Sequence, residues 1–368
     1  VPGSGLQGED KEWIFNDPVQ SNPTYDNIFI AWRSFGPSTG IKFRKSDDNG
    51  ANWSSTVNVG DGQGGQGANV ASGTNGDIYV TWLDGGIWFD VSTDGGETFG
   101  SDEHIEFFWQ NDHYSFPFIC VDYSDKASRG NIYIAYASGG SGSEDVWFQR
   151  STDGGQTWLN DPVRINDVIT NDQYWPAIQC DTSGHLVVIY YDERTQPGVM
   201  NAYMAYSDDH GDTWNNVLLS SSSFFGATPN SNVRFGDYIG IDFYAGKIVP
   251  VWTDDRSFDY NQEIYTAIVD INIGVADFYP LSEATNISKN YPNPFRGQTK
   301  IEFRLLQRSH VRIEVFNAMG TSLGILTEKV YGKGVNHVDW DASNLSPGTY
   351  MYKLETEKHR ETRFMVVK

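Results

Sequence analysis

The chain has 368 residues and a formal charge of −22, with 39% apolar, 20% charged and 14% aromatic residues. It is too aromatic for a disordered chain, and its 38 glycines are too many for a helical bundle. No apolar run is long enough to cross a bilayer as a helix, so no transmembrane segment is expected.

The charge is unevenly spread. From Thr285 onward there are 13 Lys and Arg against 8 Asp and Glu, so the residues before it carry −27. A surface that acidic repels phosphate backbones and excludes nucleic acid as a partner. The change of sign also marks a domain boundary.

In chain order, Asp10-Lys11-Glu12-Trp13-Ile14 reads as a first strand and Ile28-Phe29-Ile30-Ala31-Trp32 as a second. A third strand then enters the box Ser46-Asp47-Asp48-Asn49-Gly50-Ala51-Asn52-Trp53. The same unit recurs, with second strands at residues 78–82, 132–136 and 186–190. Its boxes, of pattern Ser-x-Asp-x-Gly-x-x-aromatic, lie at 92–99, 151–158 and 207–214. Successive box starts are 46, 59 and 56 residues apart. Ile248-Val249-Pro250-Val251-Trp252 makes a fifth unit without a box. The near-continuous apolar second strands suit burial on both faces, and four-stranded units of this length in radial array form a β-propeller.

The box has the chemistry of a hairpin turn. Its carboxylates, Asp48, Asp94, Asp153 and Asp209, are expected to accept turn amides while glycine supplies positive φ. On this reading they fasten structure and touch no ligand. Cys120 and Cys180 are too few for a disulfide scaffold or a thiolate metal site. They stand one residue out of phase in the first strands of consecutive units, and free thiols are favoured over a bridge.

The repeated box makes residues 1–272 resemble the sialidase-like propellers built from BNR, or Asp-box, repeats. That family has six blades against the five units counted here. The resemblance therefore implies one or more units upstream of Val1, with a five-bladed ring as the alternative. After a linker at 273–288, residues 289–368 alternate as a small Ig-like β-sandwich. Here Tyr291-Pro292-Asn293-Pro294-Phe295, Val315-Phe316-Asn317, Trp340-Asp341-Ala342 and Ser346-Pro347-Gly348-Thr349-Tyr350 resemble the type IX secretion sorting domain of the Bacteroidota. This resemblance implies recognition by the secretion machinery and a secreted or cell-surface location. The expected fold is all-β.

Ligands of propellers usually sit over the channel, where the second-to-third-strand loops and the inter-blade loops meet. Four of the eight arginines before residue 273 fall on that face: Arg33, Arg194, Arg234 and Arg256. The sialidase resemblance implies a three-arginine carboxylate clamp, for which Arg194, Arg234 and Arg256 are the best candidates, with Arg33 beside them. It also implies Tyr238 as nucleophile, Glu193 as its activating base, and Asp112 or Asp84 as acid. The repeated Asp192-Glu193-Arg194 and Asp254-Asp255-Arg256 equally suit ion pairs that fasten loops.

Two functions follow from the resemblance: a sialidase-type exo-glycosidase on acidic sugars, or a non-catalytic propeller binding glycan or protein at the cell surface. A polysaccharide lyase rests only on His113-Tyr114. The seven histidines form no zinc motif and no cofactor is implied, although the carboxylate-rich loops are compatible with a structural calcium.

Overall fold

The computed structural model describes residues 8–36, 38–62, 64–107, 115–139, 144–225, 238–244, 246–256, 263–270, 289–305, 308–317, 321–356 and 360–368. The chain divides into two compact units, 1–275 and 276–368. Among the described residues there is no helix; both units are all-β.

The first unit is a series of five antiparallel sheets, each a meander from an inner strand outward. The first runs Glu9–Asn16, Ile28–Ser34, Gly40–Ser46 and Val57–Asn58. The second runs Gln66–Ser72, Ile78–Leu83, Gly86–Ser92 and Glu103–Phe107, and the third Phe118–Val121, Ile132–Ser138, Asp145–Ser151 and Val163–Arg164. The fourth comprises Gln173–Cys180, Leu186–Gln196, Val199–Ser207 and Asn215–Leu218, with Phe224–Phe225 added to its third strand. In the fifth, Gly240–Tyr244, Lys247–Asp254 and Glu263–Thr266 are joined by Val269–Asp270 against the second strand. Each inner strand packs on the next, which is the succession of propeller blades.

Apolar residues from neighbouring sheets fuse into shared cores. Phe29 and Phe43 pack with Val70 and Val80, Tyr79 and Phe89 with Ile119 and Ile134, and Tyr133 and Phe148 with Ile178 and Val188. The second strands of the second, third and fourth sheets are buried on both faces, as their composition requires. The fifth departs from the expectation. Along Lys247–Asp254 burial alternates, so this apolar strand is covered on one face only.

The boxes form as the turn chemistry predicts. In the third sheet, Asp153 Oδ1 accepts from the Thr157 amide at 2.9 Å and Oδ2 from its hydroxyl at 2.5 Å. Ser151 Oγ donates to Asp153 at 2.8 Å and accepts the Gly155 amide at 2.9 Å. Asp94 and Asp209 repeat the arrangement with Thr98 and Thr213, and Asp48 does so with Asn52. Bonds from Thr98 and Thr157 hold the Asp94 and Asp153 carboxyls below the ordinary range.

The second box glycine also does inter-sheet work. A Cβ on Gly155, at φ 92°, would lie 2.4 Å from the Phe89 ring of the preceding sheet. Gly96 and Gly211 stand the same way over Phe43 and Phe148. The box aromatics Phe99, Trp158 and Trp214 meet those rings edge-on at 5.2, 5.2 and 5.4 Å. Cys120 and Cys180 are free thiols.

The second unit holds two sheets around one core. Lys289–Tyr291, Gln298–Leu305 and Gly334–Asp341 make the first; Ser322–Tyr331, Ser309–Asn317, Gly348–Glu355 and Arg360–Val367 make the second, in that spatial order. Ile301 and Phe303 of one pack with Val311, Ile313, Tyr352 and Leu354 of the other, a β-sandwich.

Candidate functional site

The two ends of the propeller are set by its meander. Boxes follow the third strands, so they lie at the end where second strands begin (Ile132 pairs Ser151). The opposite end carries the starts of the inner strands and the ends of the second strands, as Gln173 opposite Asp192 shows. Arg33, Arg194 and Arg256 lie at this second end.

Each of the three described arginines bonds close to its own strand end. Arg194 Nε and Nη2 donate to Asp192 Oδ2 at 3.0 and 2.8 Å, and Nη2 reaches Asp167 at 2.7 Å. Its guanidinium lies 3.9 Å over the Tyr203 ring. Arg256 repeats this in the fifth sheet: Nε donates to Asp254 Oδ1 at 3.0 Å, Nη2 pairs with Oδ2, and the plane lies 3.8 Å over Tyr265. The cause is local. Residues two apart on a strand end point the same way, so each arginine finds its own buried aspartate first. Arg33 donates to the Gly64 carbonyl and lies 4.9 Å over Phe35, and Asp84 sits against the same Gly64 backbone. Arg194 and Arg256 are thus each paired with an aspartate two residues away, the ion-pair arrangement that the sequence equally suited. Arg234 lies outside the described residues, as do Asp112, His113 and Tyr114.

Glu193 has its own tyrosine partner. Glu193 is buried, accepting the Tyr174 hydroxyl at 2.7 Å and the Gly198 amide at 2.7 Å. The tyrosine that it bonds is Tyr174. Burial and then the charge of Glu193 push the Tyr174 phenol well up, so it stays a neutral donor. Asp172 ties the third and fourth sheets nearby: its carboxylate accepts the Glu144 amide at 3.0 Å and its carbonyl the Glu193 amide at 3.0 Å.

Tyr238 belongs to a different constellation, which sequence reasoning missed. The pairs Trp13–Ala31, Asn69–Thr81, Phe118–Ala135, Ala177–Ile189 and Gly240–Val251 align the five inner strands. Two residues before each of those inner residues stand Lys11, Gly67, Phe116, Trp175 and Tyr238. In the first, second and fourth sheets a register shift falls there, with φ of 53° at Lys11, 69° at Gly67 and 50° at Trp175. A bulge turns a side chain out of the strand's alternation and toward the axis. All five positions line one pocket of about 50 Å³, together with Glu12, Trp13, Asn69 and Phe118.

Within it the Lys11 ammonium lies 3.7 Å over the Tyr238 ring and 4.7 Å over Phe116. Gly67 leaves room for Phe116, whose ring a Cβ there would strike at 2.0 Å. Trp13 meets Phe118 edge-on at 4.4 Å, and Trp175 meets Tyr174 and Tyr191 at 5.1 and 5.8 Å. Trp175 and Lys11 are buried while Tyr238 is half exposed, so the pocket is an aromatic-walled cup with one accessible face. Among the described residues no cluster of three or more His, Cys, Asp or Glu is arranged to hold a metal ion.

Comparison with known proteins identifies one half of the molecule's logic. Residues 289–368 match the family model of the secretion system C-terminal sorting domain. The second unit therefore carries the address, and the protein is exported by type IX secretion to the cell surface or the surroundings. No curated protein matches the chain at a significant level. Among solved structures, a protein of unknown function from Dyadobacter fermentans is similar at 11% identity and a TM-score of 0.46, covering 91% of this chain and 95% of that one. A Hadza microbial sialidase is similar at 13% identity and 0.41, covering 94% and 78%, and an ulvan lyase at 14% and 0.38, covering 88% and 78%. At such identities no activity carries over to this chain.

Proposed function

We propose that the exported propeller is a non-catalytic glycan-binding module whose ligand enters the axial cup. One observation carries this reading: five repeat-equivalent positions, different in every sheet, converge on one pocket walled by Trp13, Phe116, Trp175 and Tyr238. Aromatic faces take up the C–H faces of sugar rings, and Glu12 and Asn69 supply polar atoms at the same wall. The exo-glycosidase alternative draws on three arginines and a tyrosine–glutamate pair. Arg194 and Arg256 are spent on Asp192 and Asp254, and Glu193 on Tyr174.

The test is calorimetric titration of the full chain with neutral and acidic oligosaccharides, alongside a fluorogenic sialoside assay. Binding should weaken at least about tenfold in Tyr238→Ala, the loss of one stacked aromatic contact. Turnover of the sialoside by the unaltered chain would overturn the non-catalytic reading.

A further inference from the structure

At the box end, the loops from inner to second strand are long in the first and third sheets and short in the second and fourth. The long loops, 17–27 and 122–131, are equivalent. The Asp17 amide donates to the Asn27 carbonyl and the Asp122 amide to the Asn131 carbonyl, both at 3.0 Å. Each leans on the short turn of the next sheet, 73–77 or 181–185, and those turns match residue for residue between Ser72–Ile78 and Cys180–Leu186. In the first pair of sheets, buried Asp17 is held by its own loop. The Val19 amide donates to it at 3.0 Å, the Thr24 hydroxyl at 2.6 Å, and Asn22 Nδ2 at 3.2 and 3.1 Å to its two oxygens. The same Nδ2 donates to the Gly73 carbonyl of the second sheet at 2.8 Å. One positively polarised atom thus lies among three oxygens and joins two sheets.

Between the third and fourth sheets the acceptors return without that donor. Asp122 is 0% exposed; its Oδ1 accepts the Ser124 amide at 2.7 Å, while Oδ2 is buried with no hydrogen-bond partner. Ser128 stands where Thr24 stands, and its hydroxyl is likewise buried and unpartnered. Lys126 stands where Asn22 stands, since the Arg129 amide donates to its carbonyl as the Tyr25 amide does to that of Asn22. Its ammonium instead pairs with exposed Asp125 at 3.4 Å. Arg129 donates to the Tyr123 and Ser124 carbonyls at 2.7 and 3.1 Å. Gly184 of the fourth sheet marks where the oxygens converge. A Cβ built on it would lie 3.3 Å from Ser128 Oγ and 3.4 Å from both Asp122 Oδ2 and Ser124 Oγ. The Asp181 carbonyl is the counterpart of that of Gly73.

We propose that Asp122 Oδ2, Ser124 Oγ, Ser128 Oγ and the Asp181 carbonyl form a calcium site that joins the third sheet to the fourth. The ion takes the part that Asn22 Nδ2 plays between the first and second. Its ligands are one carboxylate with hydroxyl and carbonyl oxygens, a set that suits a hard cation and not zinc or copper. Burial pushes the neighbouring Cys120 and Cys180 thiols up, so they stay neutral and do not compete as ligands. Calcium accepts an irregular oxygen set completed by water, whereas magnesium demands a near-ideal octahedron. The Asp181 carboxylate on the same turn adds a second negative charge, which favours a divalent ion over sodium.

The experiment uses the full chain, stripped with EDTA and dialysed. Calcium chloride titrated in a calorimeter should bind with a Kd of about 10⁻⁴–10⁻³ M, the range of extracellular modules. Saturating calcium should raise Tm by several degrees, because the ion binds only the folded chain. Magnesium chloride at equal ionic strength should raise it far less. Asp122→Asn keeps an acceptor for the Ser124 amide but removes the charge, and should weaken calcium binding at least about tenfold. Lys126→Asn, at an exposed position, supplies the amide of the first sheet; its calcium-free Tm should rise and its calcium response shrink. A chain that gives neither heat nor a Tm shift with calcium overturns the proposal. So does a response that magnesium matches, or one that both variants retain in full. If Asp122→Asn does not fold, an undiminished response in Lys126→Asn overturns it alone.

Discussion

The box end and the mouth end of the propeller are built from the same repeat, and they use it in opposite ways. At the box end the same residues return in four sheets: Ser and Asp close the turn, the second Gly lies against a ring in three of them, and an aromatic covers it. At the mouth end one position carries Lys11, Gly67, Phe116, Trp175 and Tyr238 in turn. Where repeats agree they build the frame, and where they diverge they shape a surface for something else. Substitutions at the first end should cost stability, and those at the second should cost binding.

The sharpest break comes from the rings beneath the boxes. Phe148→Ala removes the seat of Gly211 and Trp214 and should cost about 3–5 kcal/mol in urea unfolding. Gly155→Ala forces a side chain at φ 92° toward Phe89 and should cost about 2–4 kcal/mol, read the same way.

Asp90 makes an intermediate case because its effect has the opposite sign. It is buried, and burial first, then Asp102 and Asp61, push its carboxyl up to about 6, against bonds from the Val91 and Gly100 amides. A carboxyl raised on folding binds its proton more readily in the folded state, so it costs stability above pH 6 and returns it as pH falls toward 4. Asp90→Asn should therefore stabilise the propeller by about 2 kcal/mol at pH 7.5, with the gain vanishing by pH 4. Gln149, at the equivalent place in the third sheet, is such a neutral amide already. An unaltered pH profile in the variant would rule this account out.

Asp153→Ala in an exposed box turn should cost only about 1 kcal/mol. Smallest of all in stability, within about 0.5 kcal/mol, should be Tyr238→Ala at the half-exposed mouth. Thermal melts of the five variants, set beside their ligand titrations, measure how cleanly the two ends divide the work. A destabilised Tyr238→Ala would collapse the distinction.

The strands and boxes were legible because period-two alternation and turn residues write themselves into sequence at every repeat. The sorting domain was legible from its ordered motifs. The site was less so, for two physical reasons. For Arg194 and Arg256 the sequence left an anion clamp and a local ion pair both open, and only the structure shows Asp192 and Asp254 on the same side two residues away. The aromatic cup was hidden because bulges at Lys11, Gly67 and Trp175 break the alternation by which a strand is read. The one-sided burial of Val249 and Val251 was hidden too, since an apolar run cannot say whether a second neighbour exists.

The seat of each box has a temporal meaning. A box turn closes within about four residues through its own serine, aspartate and threonine, so it can form on the microsecond scale of a hairpin, before distant strands meet. The ring it then needs always belongs to the sheet made earlier: Phe43 for the second box, Phe89 for the third and Phe148 for the fourth. Each of these boxes thus ties its own sheet back to the one before it in the chain.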